Sequence, residues 1–196
     1  MNTTPDTYQR ILDSAKALMH AKSYADVGVA AICDEAQVKK GSFYHYFPSK
    51  QALTLAVIDM YYLDFKNHII DKAFDPAVAP LERLTRFINL SIEMQLELHQ
   101  QSGHILGCPF GNLATELSTQ DETLRCKLDH QFDKLSALFR TALQDAVDNG
   151  DVVDIDVEAT AQAILAMFEG TMLLAKTHND PKILQQLLPN AAKLRL

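Results

Sequence analysis

The segment from Lys39 to Tyr46 concentrates side chains that can form hydrogen bonds to nucleic acids. In a DNA groove, lysine ammonium groups donate to guanine edges and hydroxyl groups donate to phosphate oxygens. Small residues in the same segment let the backbone approach the duplex closely. A lysine pair alone is more often a solvated surface feature, so the surrounding residues decide the interpretation. The candidate DNA-contacting residues in this segment are Lys39, Lys40, Gly41, Ser42, Tyr44, His45 and Tyr46.

These residues fall on the second of two short predicted helices. The spacing of apolar residues predicts helices over about 29–36 and 39–46, joined by a tight turn. Two such helices are typical of a helix-turn-helix motif, whose second helix enters the major groove. We expect Phe43 and Phe47 to be core residues. The other inward-facing positions are Val29, Ile32, Ala36 and Val38.

The string VKKGSFYHYFPSK, at positions 38–50, resembles the recognition helix of the TetR family of transcriptional regulators and the Pro-Ser-Lys that follows it. The resemblance covers roughly residues 8–60. It implies a DNA-binding head with a set of base contacts and a set of phosphate contacts. By this resemblance the base-facing residues are Lys40, Gly41, Ser42 and His45, and the phosphate-facing residues are Tyr44, Ser49 and Lys50.

Two positions depart from the family pattern. Gln37 replaces the turn glycine, which predicts a positive φ at a residue that disfavours it. Gly28 replaces a polar residue at the start of the second helix, which predicts a weaker cap. The chain has no basic arm ahead of its first helix, so we do not expect minor-groove contacts there.

Composition and charge indicate a helical protein with one DNA-facing end. The chain has 196 residues, 47% hydrophobic and 22% charged, with seven glycines and seven prolines, which argues against disordered, collagen-like and all-β classes. We see no signal peptide and no bilayer-length apolar run, and three scattered cysteines form no disulfide framework. Residues 1–50 carry six basic and five acidic residues, whereas the remainder carries twelve and twenty. We expect a cytoplasmic protein without a membrane partner, whose acidic body repels DNA.

The fold class expected is all-α, with about nine helices and no internal repeat. Thr4 is the expected cap of the first helix, with Pro5 as its first residue. A long helix is expected from about Lys50 to Ile70. The two prolines in residues 75–80 mark a linker. We therefore divide the chain into a helix-turn-helix domain, 1–50, with a connecting helix to about 73, and a ligand-binding and dimerisation domain, 74–196.

The resemblance also implies that the body forms homodimers through its last two helices. Small residues at Ala159, Ala163, Ala166 and Gly170 permit close helix packing. The alternative is that both helices belong to the internal core of one subunit. Two-fold symmetry implies a palindromic double-stranded operator with half-sites about one DNA turn, ~34–36 Å, apart.

A small-molecule inducer is expected to bind among the body helices. A mixture of methionine, phenylalanine and small residues suits an adaptable apolar cavity. Each of these residues is individually more typical of ordinary core. The candidate lining residues are Phe87, Met94, His104, Phe110, Phe132, Met167, Phe168 and Met172.

Cys108 is the candidate sensor thiol. It precedes Pro109 in GCPFGNLATEL, at the expected start of a helix, where backbone dipoles lower a thiol pKa. The Gly-Cys-Pro segment resembles a TetR subgroup that includes electrophile- and oxidant-sensing repressors. Lys176 is a candidate neighbour that would favour the thiolate. We expect Cys33 and Cys126 to be inert buried residues.

Two other classes of function compete with a regulator. An enzyme finds little support, because the chain lacks a phosphate loop, a nucleophile elbow and a His-Glu-x-x-His motif, and its histidines are dispersed. We therefore expect no catalytic residues, no metal and no cofactor. A helical interaction adaptor that has lost DNA binding is the alternative. The lysines and hydroxyls of residues 39–50 argue against it.

Overall fold

The computed structural model describes residues 6–196, and the regular elements in that range are helical. Within it, nine helices span seven or more residues, which confirms the all-α prediction. The elements are α1 Thr7–Ala21, α2 Val29–Glu35, α3 Lys40–Tyr46, α4 Lys50–Phe65, a π-helical turn Lys66–Ile70, α5 Asp71–Ala73, α6 Pro80–Ser102, α7 Pro109–Leu117, α8 Glu122–Asp148, α9 Val157–His178 and α10 Pro181–Ala191.

Aspartate side chains begin several of these helices. The Asp6 carboxylate accepts the Tyr8 amide at 3.1 Å, so α1 starts at Thr7 and the prediction that Thr4 is its cap is wrong. Thr4 and Pro5 lie outside the described residues. The carboxylates of Asp121, Asp156 and Asp180 cap α8, α9 and α10 in the same way, each accepting a first-turn amide.

The helix-turn-helix motif has the two local features that the sequence predicts, one in its turn and one at the start of α2. Gln37 adopts φ 53°, in the left-handed region. Gly28 begins α2 without a side-chain hydrogen bond. The helix expected over residues 50–70 is regular only to Phe65 and continues as the π-helical turn, which widens the backbone before α5.

The chain divides into two compact units, the first comprising the described residues up to Leu63 together with Asn112–Leu128. Its core includes Ile11, Ile32 and Phe43 from the first three helices. The segment 112–128 adds a buried stripe that contains Leu117 and Leu124. The head is therefore larger than the sequence division places it, because part of α7 and the start of α8 pack within it.

The second unit comprises Asp64–Gly111 and Asp129–Leu196. In it, α10 packs against α6 and α9. An aromatic cluster forms its core around Phe87, whose ring centroid lies 5.0 Å from Phe139 and 5.3 Å from Phe168. The Leu196 amide donates to Thr160 Oγ1 at 3.0 Å, which ties the last residue to the first turn of α9.

Helix α9 is long and apolar enough to cross a membrane by length and composition, since its most apolar 18-residue window has a mean hydropathy of 1.2. Glu158, Glu169 and Lys176 interrupt its apolar residues, so the sequence holds no unbroken apolar run of bilayer length here. Core helices of proteins that enter no membrane meet the same criterion. Phe168 and Met172 on α9 are buried within the second unit.

Candidate nucleic-acid interface and buried thiol site

Helix α3 presents a polar face from the head. Phe43 and Phe47 anchor it, being 0% and 4% exposed, as predicted. The opposite face carries Tyr44, which is 54% exposed, and Gly41, where a Cβ would meet no atom within 4 Å. The candidate DNA-contacting residues divide into an exposed set, Lys39, Lys40, Gly41, Tyr44, His45 and Tyr46, and a half-buried set, Ser42, Ser49 and Lys50.

Aromatic contacts hold the end of this helix against α1. The Tyr8 ring stacks on Phe47 at 5.0 Å and meets the Tyr46 ring edge-on at 5.9 Å. Ser49 immediately precedes α4, and its Oγ accepts the Ala52 amide at 3.0 Å. The polar face of α3 is thus carried on a helix that is held at its C-terminal end.

Lys50 points into the head rather than away from it. Its Nζ donates to the Tyr24 carbonyl and lies 3.8 Å from the centroid of the Tyr24 ring. Burial lowers the pKa of Lys50, and the charge of Glu116 opposes that shift. In this arrangement the predicted phosphate-contacting ammonium already has a protein partner.

Glu116 on α7 organises the same loop, and the sequence gives no sign of it. Its Oε2 accepts the Tyr24 amide at 2.9 Å and its Oε1 accepts the Ala25 amide at 2.6 Å, from 91 residues away in the chain. Asp121 makes a separate contact with α4, since its Oδ2 accepts from Gln51 Nε2 at 2.7 Å. The loop between α1 and α2 is therefore held by a carboxylate from α7.

A thiol and a carboxylate meet at the start of α7, within the second unit. The Cys108 thiol donates a hydrogen bond to the Glu169 carboxylate, while the amides of Phe110 and Gly111 donate to the Cys108 sulfur. Cys108 is buried, and Glu169 Oε1 is buried without a hydrogen-bond partner. A Cβ at Gly111 would lie 2.2 Å from Glu169 Oε2, so glycine at this position leaves room for the carboxylate where it now lies.

The prediction of a lowered pKa for Cys108 is wrong. Burial and the neighbouring Glu169 charge raise the pKa of the thiol well above its usual value and outweigh the two amide hydrogen bonds. Burial also raises the pKa of Glu169 to about 7. The ionisable group in contact with the thiol is therefore the Glu169 carboxyl, rather than the predicted Lys176 ammonium.

The other cysteines differ from one another. Cys33 is buried, as predicted. The prediction for Cys126 is wrong, because this residue is exposed on the first turns of α8, with its sulfur 3.4 Å from Glu122 Oε1. The apolar stripe of α8 runs through Leu124 and Leu128, which leaves position 126 on the opposite side.

The candidate inducer-lining residues occupy different environments. Phe87, Phe110, Phe168 and Met172 are buried, Met94, Phe132, Met167 and Lys176 are half-buried, and His104 is exposed. The Phe65 ring joins Phe87 and Phe110, with centroid distances of 5.7 and 6.5 Å. An open groove of about 420 Å³ lies elsewhere, between residues 76–80 and the end of α8. Among the described residues, no three His, Cys, Asp or Glu side chains are grouped as metal ligands.

A helical head that contains a helix-turn-helix with an exposed polar recognition helix, together with a helical body, defines a DNA-binding regulator of the helix-turn-helix class. Residues 11–57 match the family described as bacterial regulatory proteins, tetR family, and residues 80–190 match the tetracyclin repressor-like C-terminal domain. The chain belongs to the TetR family and is a ligand-responsive, DNA-binding transcriptional regulator.

Similar proteins are known from several bacteria. An HTH-type transcriptional regulator in the lacX 3' region of Lactococcus lactis is 32% identical, over 92% of this chain and 88% of its own length. The HTH-type transcriptional repressor NemR of Escherichia coli is 24% identical, over 98% of this chain and 96% of its own length. The crystal structure of a regulatory protein TetR from Rhodobacter sphaeroides has 30% identity and a TM-score of 0.84, covering 97% of this chain and 99% of that one.

Proposed function

We propose that this regulator is a homodimeric repressor that binds a palindromic operator through the polar face of α3. The observation that carries the proposal is the exposure of this face while Phe43 and Phe47 fix the helix from behind. Lys40, Gly41, Ser42 and His45 would face base edges. Lys39, Tyr44, Tyr46, Ser49 and Lys50 would serve the backbone and the rim of the groove.

Selection of bound sequences from a random pool of duplexes tests the base contacts. Lys40→Ala should cost ~1–3 kcal/mol on the selected sequence and relax its preference. Lys72→Ala on α5 is the matched control, because Lys72 is an exposed lysine outside the head. An unchanged preference in the Lys40 variant would remove its role in reading bases.

For Lys50, we propose that binding exchanges the Tyr24 carbonyl for a phosphate oxygen. The ammonium is held by a neutral carbonyl and a ring face, and a phosphate offers it a full negative charge. Lys50→Ala should then weaken binding to every sequence and flatten the salt dependence by about one unit of slope. A loss confined to one operator base pair would contradict a phosphate contact.

The dimer surface that we propose lies on α9 and α10. Leu173, Leu174 and Leu187 are 58%, 47% and 39% exposed, and Gly170 is exposed beside them. A monomer gains nothing from leaving these leucines in water. Leu173→Asp should yield a monomer in sedimentation experiments and lower operator affinity. Val153→Asp, at a 72% exposed loop position, should leave the dimer intact.

The inducer that we propose is a small apolar or thiol-reactive molecule acting on the body, and Cys108 is the candidate reactive residue. The support is the placement of Cys108 at the start of α7, where its thiol contacts the Glu169 carboxylate within the body. Its bacterial relatives are transcriptional regulators, which supports a cytoplasmic location. An alkylating agent should release DNA from the parent protein but not from Cys108→Ser. Equal release from both would exclude Cys108.

A further inference from the structure

Glu169 is a carboxylate whose position no part of the DNA-binding function requires. It lies on α9 in contact with the Cys108 thiol, and its Oε1 atom is buried without a partner. The glycine at position 111 leaves space for its Oε2 atom. The side chain is therefore held where it can receive a proton from the Cys108 sulfur.

We propose that Glu169 is the base that accepts the Cys108 proton when this thiol reacts with a small, uncharged electrophile. The inference rests on the proposed reactivity of Cys108 and adds the group that makes a buried, protonated thiol reactive. Because the sulfur is buried, charged and bulky reagents are excluded. The substrate class that fits is a small α,β-unsaturated carbonyl compound.

Cys108, Glu169 and the electrophile together supply every atom and electron that the reaction needs. As the Cys108 sulfur attacks the β-carbon, an S–C bond forms, the C=C π bond breaks, and the S–H proton passes to Glu169. The π electrons move to the carbonyl to give an enolate. The proton on Glu169 then returns to the α-carbon, so the product is a saturated thioether and the carboxylate is regenerated.

The surroundings of the pair support this division of roles. The amides of Phe110 and Gly111 donate to the sulfur and stabilise negative charge that develops on it. Burial raises the pKa of Glu169 and the hydrogen bond with the Cys108 thiol lowers it. The resulting pKa is about 7. The next ionisable residue on this face of α9 is Lys176, two turns further along. A base that titrates near neutral pH is matched to such a proton transfer.

The test is the rate of acrylamide addition at Cys108, followed by peptide mass spectrometry on the full-length protein between pH 5.5 and 9. In the parent the rate should rise with pH and level off with a midpoint of about 7. Glu169→Gln should react about 100-fold more slowly at pH 7.5, because the base is lost. Its rate should instead follow the alkaline titration of the thiol. Glu158→Gln, an exposed glutamate on the same helix, is the matched control and should match the parent.

Opposite outcomes separate this proposal from its rival. If the carboxylate only suppresses the thiolate, Glu169→Gln will react as fast as the parent or faster, and the proposal fails. It also fails if the folded parent forms no adduct at Cys108. Protection of buried Cys33 in the same digests shows that the head of each variant is folded, and helical circular dichroism reports on the remainder of the chain. If Glu169→Gln does not fold, Glu169→Asp is the test. This variant keeps a carboxylate, so its rate of acrylamide addition must still show a midpoint near neutral pH.

Operator release measured on the same samples keeps the two proposals distinct. An adduct at Cys108 without release contradicts the sensing function and leaves the role of Glu169 standing. Release that proceeds equally fast in Glu169→Gln contradicts the role of Glu169 and leaves the sensing function standing.

Discussion

Replacing Glu169 with glutamine should change how the stability of the protein depends on pH. Burial raises the pKa of this carboxyl from 4.5 to about 7 in the folded chain. The folded state therefore binds the proton more tightly than the unfolded state does. The stabilisation that the bound proton gives to the folded state is complete below pH 4.5 and is lost as the pH rises through 7. At 1.36 kcal/mol per pKa unit, the loss in unfolding free energy approaches about 3 kcal/mol.

Glutamine occupies the same volume and carries no charge, so its variant should not show this loss. The unfolding free energy of Glu169→Gln, relative to the parent, should rise by about 2–3 kcal/mol between pH 5 and pH 8. Urea unfolding followed by helical circular dichroism measures it. Glu158→Gln is the control, because an Arg140 hydrogen bond lowers the pKa of Glu158 and moves its titration to more acidic pH. Parallel pH profiles for the parent and Glu169→Gln would refute the reasoning.

Three further substitutions test individual contacts. Gly111→Ala should destabilise the second unit by about 1–3 kcal/mol, because its Cβ overlaps Glu169 Oε2; thermal unfolding that matches the parent would contradict the close approach. Glu116→Ala should destabilise the head by about 1–3 kcal/mol and weaken DNA binding, because two loop amides lose their acceptor. Hydrogen exchange at residues 24–25 should rise with it, and unchanged exchange would contradict the anchor. Asn179→Gly tolerates the left-handed φ of 49° but loses the hydrogen bond from the Ile105 amide, so it should lower stability by about 1 kcal/mol. Asn179→Ala loses the same hydrogen bond and also disfavours this φ, so it should lower stability further. An equal loss of stability from both variants in thermal unfolding would contradict this.

The features that could be predicted from the sequence depend on residues close together in the chain. The helix-turn-helix, the positive φ of Gln37 and the start of α7 at Pro109 are all encoded within a few residues. Phe43 and Phe47 were predictable as core for the same reason, since their spacing places them on one face of a short helix.

The features that could not be predicted depend on pairs of residues far apart in the chain. Glu116 reaches the Tyr24 amide across 92 positions, and no local pattern links them. The direction of Lys50 follows from that same loop. The sequence predicts the wrong direction for the pKa of Cys108, because helix dipoles are a local signal, whereas burial and the Glu169 charge come from the tertiary structure.

The central claim is that two copies of the α3 face read a symmetric operator. The most direct measurement is selection of full-length protein against random DNA duplexes, followed by sequencing of the bound pool. The predicted result is a palindromic motif whose half-site centres lie about one helical turn apart, ~10–10.5 base pairs. Binding to this motif should fall as salt rises and lose its sequence preference in Lys40→Ala. A pool with no enriched sequence, or an enriched motif that Lys40→Ala recognises unchanged, would contradict the claim.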